Sequence, residues 1–197
     1  SSTWGASVSA TSLSVDTAYQ FKVWARNGDS TNSATSTASA GVSTLANAAG
    51  TPTVTATGSS TLGVAIDTNG NSASTTYAIY NFTSSNFLDS AGAATTTAVY
   101  QASSTWGASV SATGLSVDTA YQFKVWARNG GNTNSATSSA SAPKSTLANQ
   151  ALAPTATPAS TTVLTVTFNF ADGNSASTTY AVYNSTSGNF LDSLGAA

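Results

Sequence analysis

The sequence predicts an all-β chain of tandem seven-stranded antiparallel β-sandwiches. Three observations predict it: a unit of about 100 residues recurs, apolar residues alternate with period two, and no long stretch carries the 3.6-residue period of a helix. The recurrence is nearly literal. SSTWGASVSATSLSVDTAYQFKVWARNG from Ser1 returns from Ser103 as SSTWGASVSATGLSVDTAYQFKVWARNG, and 41 of 47 positions match between residues 1–47 and 103–149. STTYAIYNFTSSNFLDSAGAA from Ser74 returns from Ser177 as STTYAVYNSTSGNFLDSLGAA, after one residue is inserted in the preceding loop (DTNGN from Asp67 against NFADGN from Asn169).

These spacings divide the chain. Residues 1–46 are the C-terminal half of a repeat with its last three strands. Residues 47–148 are one complete repeat, and residues 149–197 are the N-terminal half of another with its first three strands. Only TTTAVYQA, residues 95–102, belongs to the middle copy alone. Each half on its own leaves an open apolar face and unpaired strand edges. The expectation is that neighbouring repeats complete them, within a longer polypeptide or between subunits.

Within the complete repeat, Thr-Val-Thr-Ala-Thr at 53–57 reads as a first strand just after Pro52. Residues 61–67 place Leu62, Val64 and Ile66 on one face. After the turn-rich DTNGNSAS, residues 76–81 put Tyr77 and Ile79 on one side with Ala78 and Tyr80 opposite. Residues 96–101 are a weaker strand and 106–112 another. The strongest is 119–129: Tyr121, Phe123, Val125 and Ala127 face one way, Gln122, Lys124, Trp126 and Arg128 the other. Residues 134–142, alternating Ser or Thr with mostly Ala, close the unit, and STLAN at 145–149 is a short linker. Seven short strands bounded by turn signals fit an antiparallel sandwich.

TGLSVDTAYQFKVWARNG at 113–130 resembles the fibronectin type III signature: a Leu, a short turn, Thr-x-Tyr, then alternating apolar residues ending in Ala-x-Asn-Gly. The resemblance implies the seven-stranded sandwich of that family. It also implies a tyrosine corner, in which the hydroxyl bonds back to nearby backbone, for Tyr121 and Tyr19. One departure is that the family's second strand usually carries a Trp, where this chain has Ile66 or Phe168. The Ser/Thr/Ala/Gly-rich make-up without Glu further resembles microbial surface or filament proteins.

Composition narrows function. With 5 Lys+Arg against 7 Asp+Glu there is no basic footprint for nucleic acid. The absence of His, Cys and Glu removes most metal ligands and the commonest general bases. No apolar run approaches the roughly 20 residues of a membrane-spanning helix. The expectation is a protein that is not an enzyme, with no cofactor, no metal and no catalytic residues. The oxygen-rich turns at Asp67 and Asp172 lack the full calcium loop and its terminal Glu, and read as ordinary turns.

The distinctive row is Lys124, Trp126, Arg128, repeated as Lys22, Trp24, Arg26, with Tyr80 and Tyr183 on the adjacent strand. These rows hold four of the five cations. An outward Trp marks a contact surface for self-association, a surface glycan or a host surface; the competing account is cation–π packing within one repeat. Asn81-Phe82-Thr83 and Asn184-Ser185-Thr186 are candidate glycosylation sequons. The expected role is a structural component of an extracellular or cell-surface fibre, built head to tail. The alternative is an adhesive or carbohydrate-binding array using the Trp and Tyr residues as its platform.

Overall fold

The computed structural model describes residues 5–196; residues 1–4 and 197 of the two end segments lie outside the described residues. The N-terminal segment holds β1 (Ala18–Tyr19) and β2 (Val42–Ser43), paired antiparallel. The complete repeat holds β3 (Thr53–Ala56), β4 (Leu62–Ala65), β5 (Thr76–Asn81), β6 (Asn86–Leu88), β7 (Ala94–Thr95), β8 (Gln101–Ala102), α1 (Ser103–Trp106), β9 (Val110–Ala112), β10 (Ala120–Tyr121), β11 (Phe123–Arg128), β12 (Asn134–Thr137) and β13 (Lys144–Ser145). The C-terminal segment holds β14 (Thr155–Pro158), β15 (Leu164–Thr167), β16 (Tyr183–Asn184) and β17 (Asn189–Phe190).

The complete repeat is a fibronectin type III-like sandwich. One sheet is β3-β4-β9; the other runs β12-β11-β5-β6-β7, with β8 also on β5. All of these pairings are antiparallel. The inward rows expected from the alternation meet between the sheets. Leu62 and Val64 from one side pack with Tyr77, Ile79, Phe123 and Val125 from the other. Burying a side chain of this size contributes about 1.5–3 kcal/mol, so this cluster is the main source of the repeat's stability. The buried Trp is supplied by Trp106, whose indole N–H donates to the Tyr77 carbonyl at 2.8 Å. Ile66, where the family's Trp would stand, is only half-buried.

Four expected strands come out differently. Residues 106–112 begin at the last residue of α1, a turn of helix held by the burial of Trp106, and become strand only at Val110. The expected strand at 96–101 is reduced to β7 and β8 at its margins, with the chain between them unpaired. The long strand at 119–129 breaks at Gln122, so that β10 pairs with β13 while β11 joins β5 and β12.

The last strand departs most. Only Asn134–Thr137 pairs as strand, and already there Asn134 faces Arg128 while Thr137 faces Trp126. From there on the register is three residues against two, not the period of two read from the Ser/Ala alternation. Ser138 donates its N–H to Val125 O and accepts the Val125 N–H on its own Oγ, at 2.9 and 2.8 Å. Ser141 treats Phe123 the same way, at 2.9 and 3.0 Å. The N-terminal segment repeats the device with Ser33, Ser36 and Ser39 on Ala25, Val23 and Phe21. A hydroxyl stands where a strand would normally offer a carbonyl, so every third residue must be Ser.

Gly92 shows how tightly the two sheets are joined. Its φ is +82°, and a Cβ there would sit 1.8 Å from the Ser111 carbonyl oxygen. Only glycine satisfies both conditions.

Candidate interface

The outward row of the complete repeat is brought together as the alternation implies. Trp126, on β11, lies edge-on to Phe87 of β6 at 5.1 Å and is 6.2 Å from Tyr80 of β5; Tyr80 and Phe87 are 4.9 Å apart. The cations pack on other rings of the same repeat. Lys124 Nζ lies 4.2 Å from the Phe82 ring centre, and the Arg128 guanidinium lies 3.9 Å from Tyr100. Tyr100 belongs to the eight residues unique to this copy. Burial pushes its hydroxyl pKa up, and the Arg128 charge pulls the other way. The row is thus half-buried in its own repeat.

The other two copies differ. Trp24 is 59% exposed, and Arg26 turns to Asn32, its Nε donating to Oδ1 at 3.0 Å. Tyr183 is exposed but already packed on Phe190, with ring centres 5.1 Å apart at 58°. That nearly reproduces the 4.9 Å and 57° of Tyr80 and Phe87. Lys22 lines an open apolar groove of about 680 Å³ with Val8, Phe21 and Val23.

The Tyr121 hydroxyl accepts the Ser116 N–H at 2.9 Å, and the Tyr19 hydroxyl accepts the Ser14 N–H at 2.8 Å; both are tyrosine-corner geometries. The two sequons fare unequally. Asn81 is 2% exposed and its Oδ1 accepts the Thr83 and Ser84 N–H groups, so the folded repeat does not offer this amide for glycosylation. Asn184 makes the same turn with Thr186 and Ser187 but stands exposed.

A second contact region has no counterpart in the sequence reading. Asp16, in the turn before β1, reaches into the complete repeat. Its Oδ2 accepts the hydroxyls of Ser72, Ser74 and Thr75 at 2.8, 2.8 and 2.6 Å, and its Oδ1 accepts the Gly130 N–H at 2.8 Å. Burial pushes this carboxyl's pKa up, but the bonds from Thr75, Gly130, Ser74 and Ser72 together hold it below the ordinary value. The arrangement recurs one repeat later, where Asp118 accepts the hydroxyls of Ser175, Ser177 and Thr178.

Around each carboxylate the connecting chain is fastened by a reciprocal amide pair. The Asn47 N–H donates to Asn71 Oδ1 and the Asn71 amide donates back to Asn47 O; Asn149 and Asn174 do the same. Asp16 could have been noticed as one of only seven acidic residues, recurring at Asp118. The hydroxyl partners of the two Asp residues lie 56–60 residues further along, and Gly130 lies 114 from Asp16, so they give no local signal.

No protein-family model matches the chain, and no curated protein matches it. Among solved structures the chain is similar to the crystal structure of rat CD45 extracellular region, domains d3-d4. The likeness has 16% identity and a TM-score of 0.40, over 71% of this chain and 69% of that one. The sandwich rests on the strand pairing described above. Among the described residues no helix is long and apolar enough to cross a membrane, and no three His, Cys, Asp or Glu side chains group as metal ligands.

Proposed function

We propose that this chain is a structural segment of an extracellular fibre or surface filament, in which each repeat is one sandwich and each open half is completed by its neighbour. The supporting observation is a set of equivalent positions in two states. Phe123 and Val125 are fully buried in the complete repeat, whereas Phe21 and Val23 are 52% and 70% exposed. Leu62 is fully buried, whereas Leu164 is 64% exposed. The exposed residues on the N-terminal segment are those that would meet the exposed residues on the C-terminal one.

The open faces are also shaped for that union. Tyr183 and Phe190 hold the geometry on which Trp126 packs in the complete repeat, and Trp24 is the equivalent Trp. Gly195 has the same φ of +82° as Gly92, but nothing lies within 4 Å of a Cβ placed there. The Ser111 carbonyl that crowds Gly92 corresponds to Ser9. Covering several large apolar side chains at about 1.5–3 kcal/mol each is ample drive for association, and a head-to-tail contact that does not close on itself grows into a filament.

Sedimentation velocity across a range of concentrations tests this. The chain is expected to form a ladder of head-to-tail oligomers that Phe21→Asp abolishes. A monomer at every concentration, with Trp24 remaining accessible to an aqueous quencher, would sink the proposal. Electron microscopy should then show filaments with a regular axial repeat. In the complete repeat, the self-packed Trp126 row supports this reading over a glycan platform.

A further inference from the structure

We infer that Asp16 and Asp118 are pegs that seat in a hydroxyl socket of the following repeat and fix the angle between successive repeats, making the array a stiff rod with a set twist. The interaction surface is the end of each sandwich, and its partner is another copy of the repeat.

Three features carry the inference. First, the connection has no slack. Thr44 donates its N–H to Thr17 O, and its hydroxyl accepts the Thr17 N–H and donates to Ser14 O. Leu45 O accepts the Asp16 N–H, Asn47 is held by Asn71, Ala48 O accepts the Asn69 amide, and Gly50 N–H donates to Asp67 O. Ala46 and Ala49 are buried. Every residue from 44 to 50 is therefore bonded or buried, which is the opposite of a swivelling linker.

Second, the peg and its three hydroxyl partners recur at both junctions, although the loop leading to them differs in length and sequence between the copies. Ser72, Ser74 and Thr75 become Ser175, Ser177 and Thr178, and both pegs adopt φ +44°, a conformation that Asp tolerates better than most residues. A carboxylate that accepts three hydroxyls, with charge-assisted bonds of this length, is a directional contact.

Third, the second junction lacks a piece of the socket, and its connecting chain at 150–152 is exposed where 48–50 is bonded or buried. At the first, the loop after β11 adds the Gly130 N–H to Asp16 and the Asn129 amide to Ser43 O and Thr44 O. At the second, the C-terminal segment carries no such loop, and Ala148 and Ala151 are exposed where Ala46 and Ala49 are buried. The matching loop on the N-terminal segment is Asn27-Gly28. Gly28 has nothing within 4 Å of a Cβ placed there, whereas Gly130 has Asp16 and Ser74. Each repeat thus presents a peg at one end and a socket at the other, so head-to-tail order is written into the ends.

The chain is free of Cys, so spin labels can be placed at will. In the full chain, Ala18→Cys with Ser84→Cys spans the first junction, Ala120→Cys with Ser187→Cys spans the second at equivalent positions, and Ser60→Cys with Ser84→Cys lies within the complete repeat. Distance distributions by pulsed electron resonance should be narrow for all three pairs, with similar means at the two junctions. Asp16→Asn, and separately Thr75→Val, which preserves the buried volume, should broaden the 18–84 distribution at least about twofold while leaving the 120–187 and 60–84 pairs unchanged. The inference is overturned if the 18–84 pair is already broad in the parent, if it stays narrow in both variants, or if the 60–84 pair broadens with it in both. It does not depend on the ends being completed by a neighbour, since the first junction lies within one chain.

Discussion

Residues 20–26 and 122–128 are the same seven residues, Gln-Phe-Lys-Val-Trp-Ala-Arg, in two different surroundings. The later copy contains β11, held between β5 and β12, with its inner side chains fully buried. The earlier copy keeps only the serine ladder on one flank; its apolar side chains face an open groove. The difference shows which contacts are local and which come from the rest of the repeat. The serine ladder and the tyrosine corner form wherever residues 103–148 or their equivalents occur. The packed strand forms only where the first three strands of a repeat lie against it.

That comparison can be broken at several points. The largest contrast is expected from Phe123→Ala, which should cost about 3–5 kcal/mol of stability in chemical denaturation; Phe21→Ala in the monomeric chain should cost less than about 0.5 kcal/mol. Gly92→Ala should cost about 3 kcal/mol or more, through the left-handed φ and the Ser111 carbonyl. Gly195→Ala should instead act on association, by blocking Ser9 of a neighbour.

A smaller effect is expected from Ser138→Ala, which leaves the buried Val125 N–H without its acceptor at a cost of about 1–3 kcal/mol. Ser36→Ala exposes the equivalent N–H to water and should be nearly silent. The smallest effect is that of pH on the junction. Asp16 sits below the ordinary carboxylate value, so its contribution is complete above that value and disappears as pH falls through the lowered one. Tyr77, the titratable neighbour that feels its charge, is itself pushed upward by burial and stays neutral throughout that range. The 18–84 distance should therefore broaden in acid before the complete repeat unfolds, a sequence that circular dichroism recorded on the same samples would establish.

The sandwich was legible because strand alternation is a local pattern. Phe123, Val125, Tyr77, Ile79, Leu62 and Val64 all lie on the faces that period two assigns them. The short helix was not, since Ser-Ser-Thr-Trp has no helical period to read and is held by the burial of Trp106. The serine ladder was misread because Ser and Ala alternate closely enough to imitate a strand, while hydroxyls standing in for carbonyls follow a period of three. Trp24 and Trp126 are identical in sequence context; their exposure is decided by Tyr80 and Phe87, which only one of them has nearby. The Asp16 socket was illegible for the same reason: its hydroxyls come from a different repeat.

The central proposal, that the open N-terminal segment and the open C-terminal segment complete each other, has a direct chemical test. In the complete repeat Gly63 and Ser111 lie opposite each other across β4 and β9. Their equivalents are Thr165 and Ser9, and directly opposed strand positions suit disulfide geometry. Ser9→Cys and Thr165→Cys chains, mixed in equal amounts and gently oxidised, should yield the mixed 9–165 disulfide far in excess of either symmetric product. A statistical mixture of the three disulfides would contradict the account.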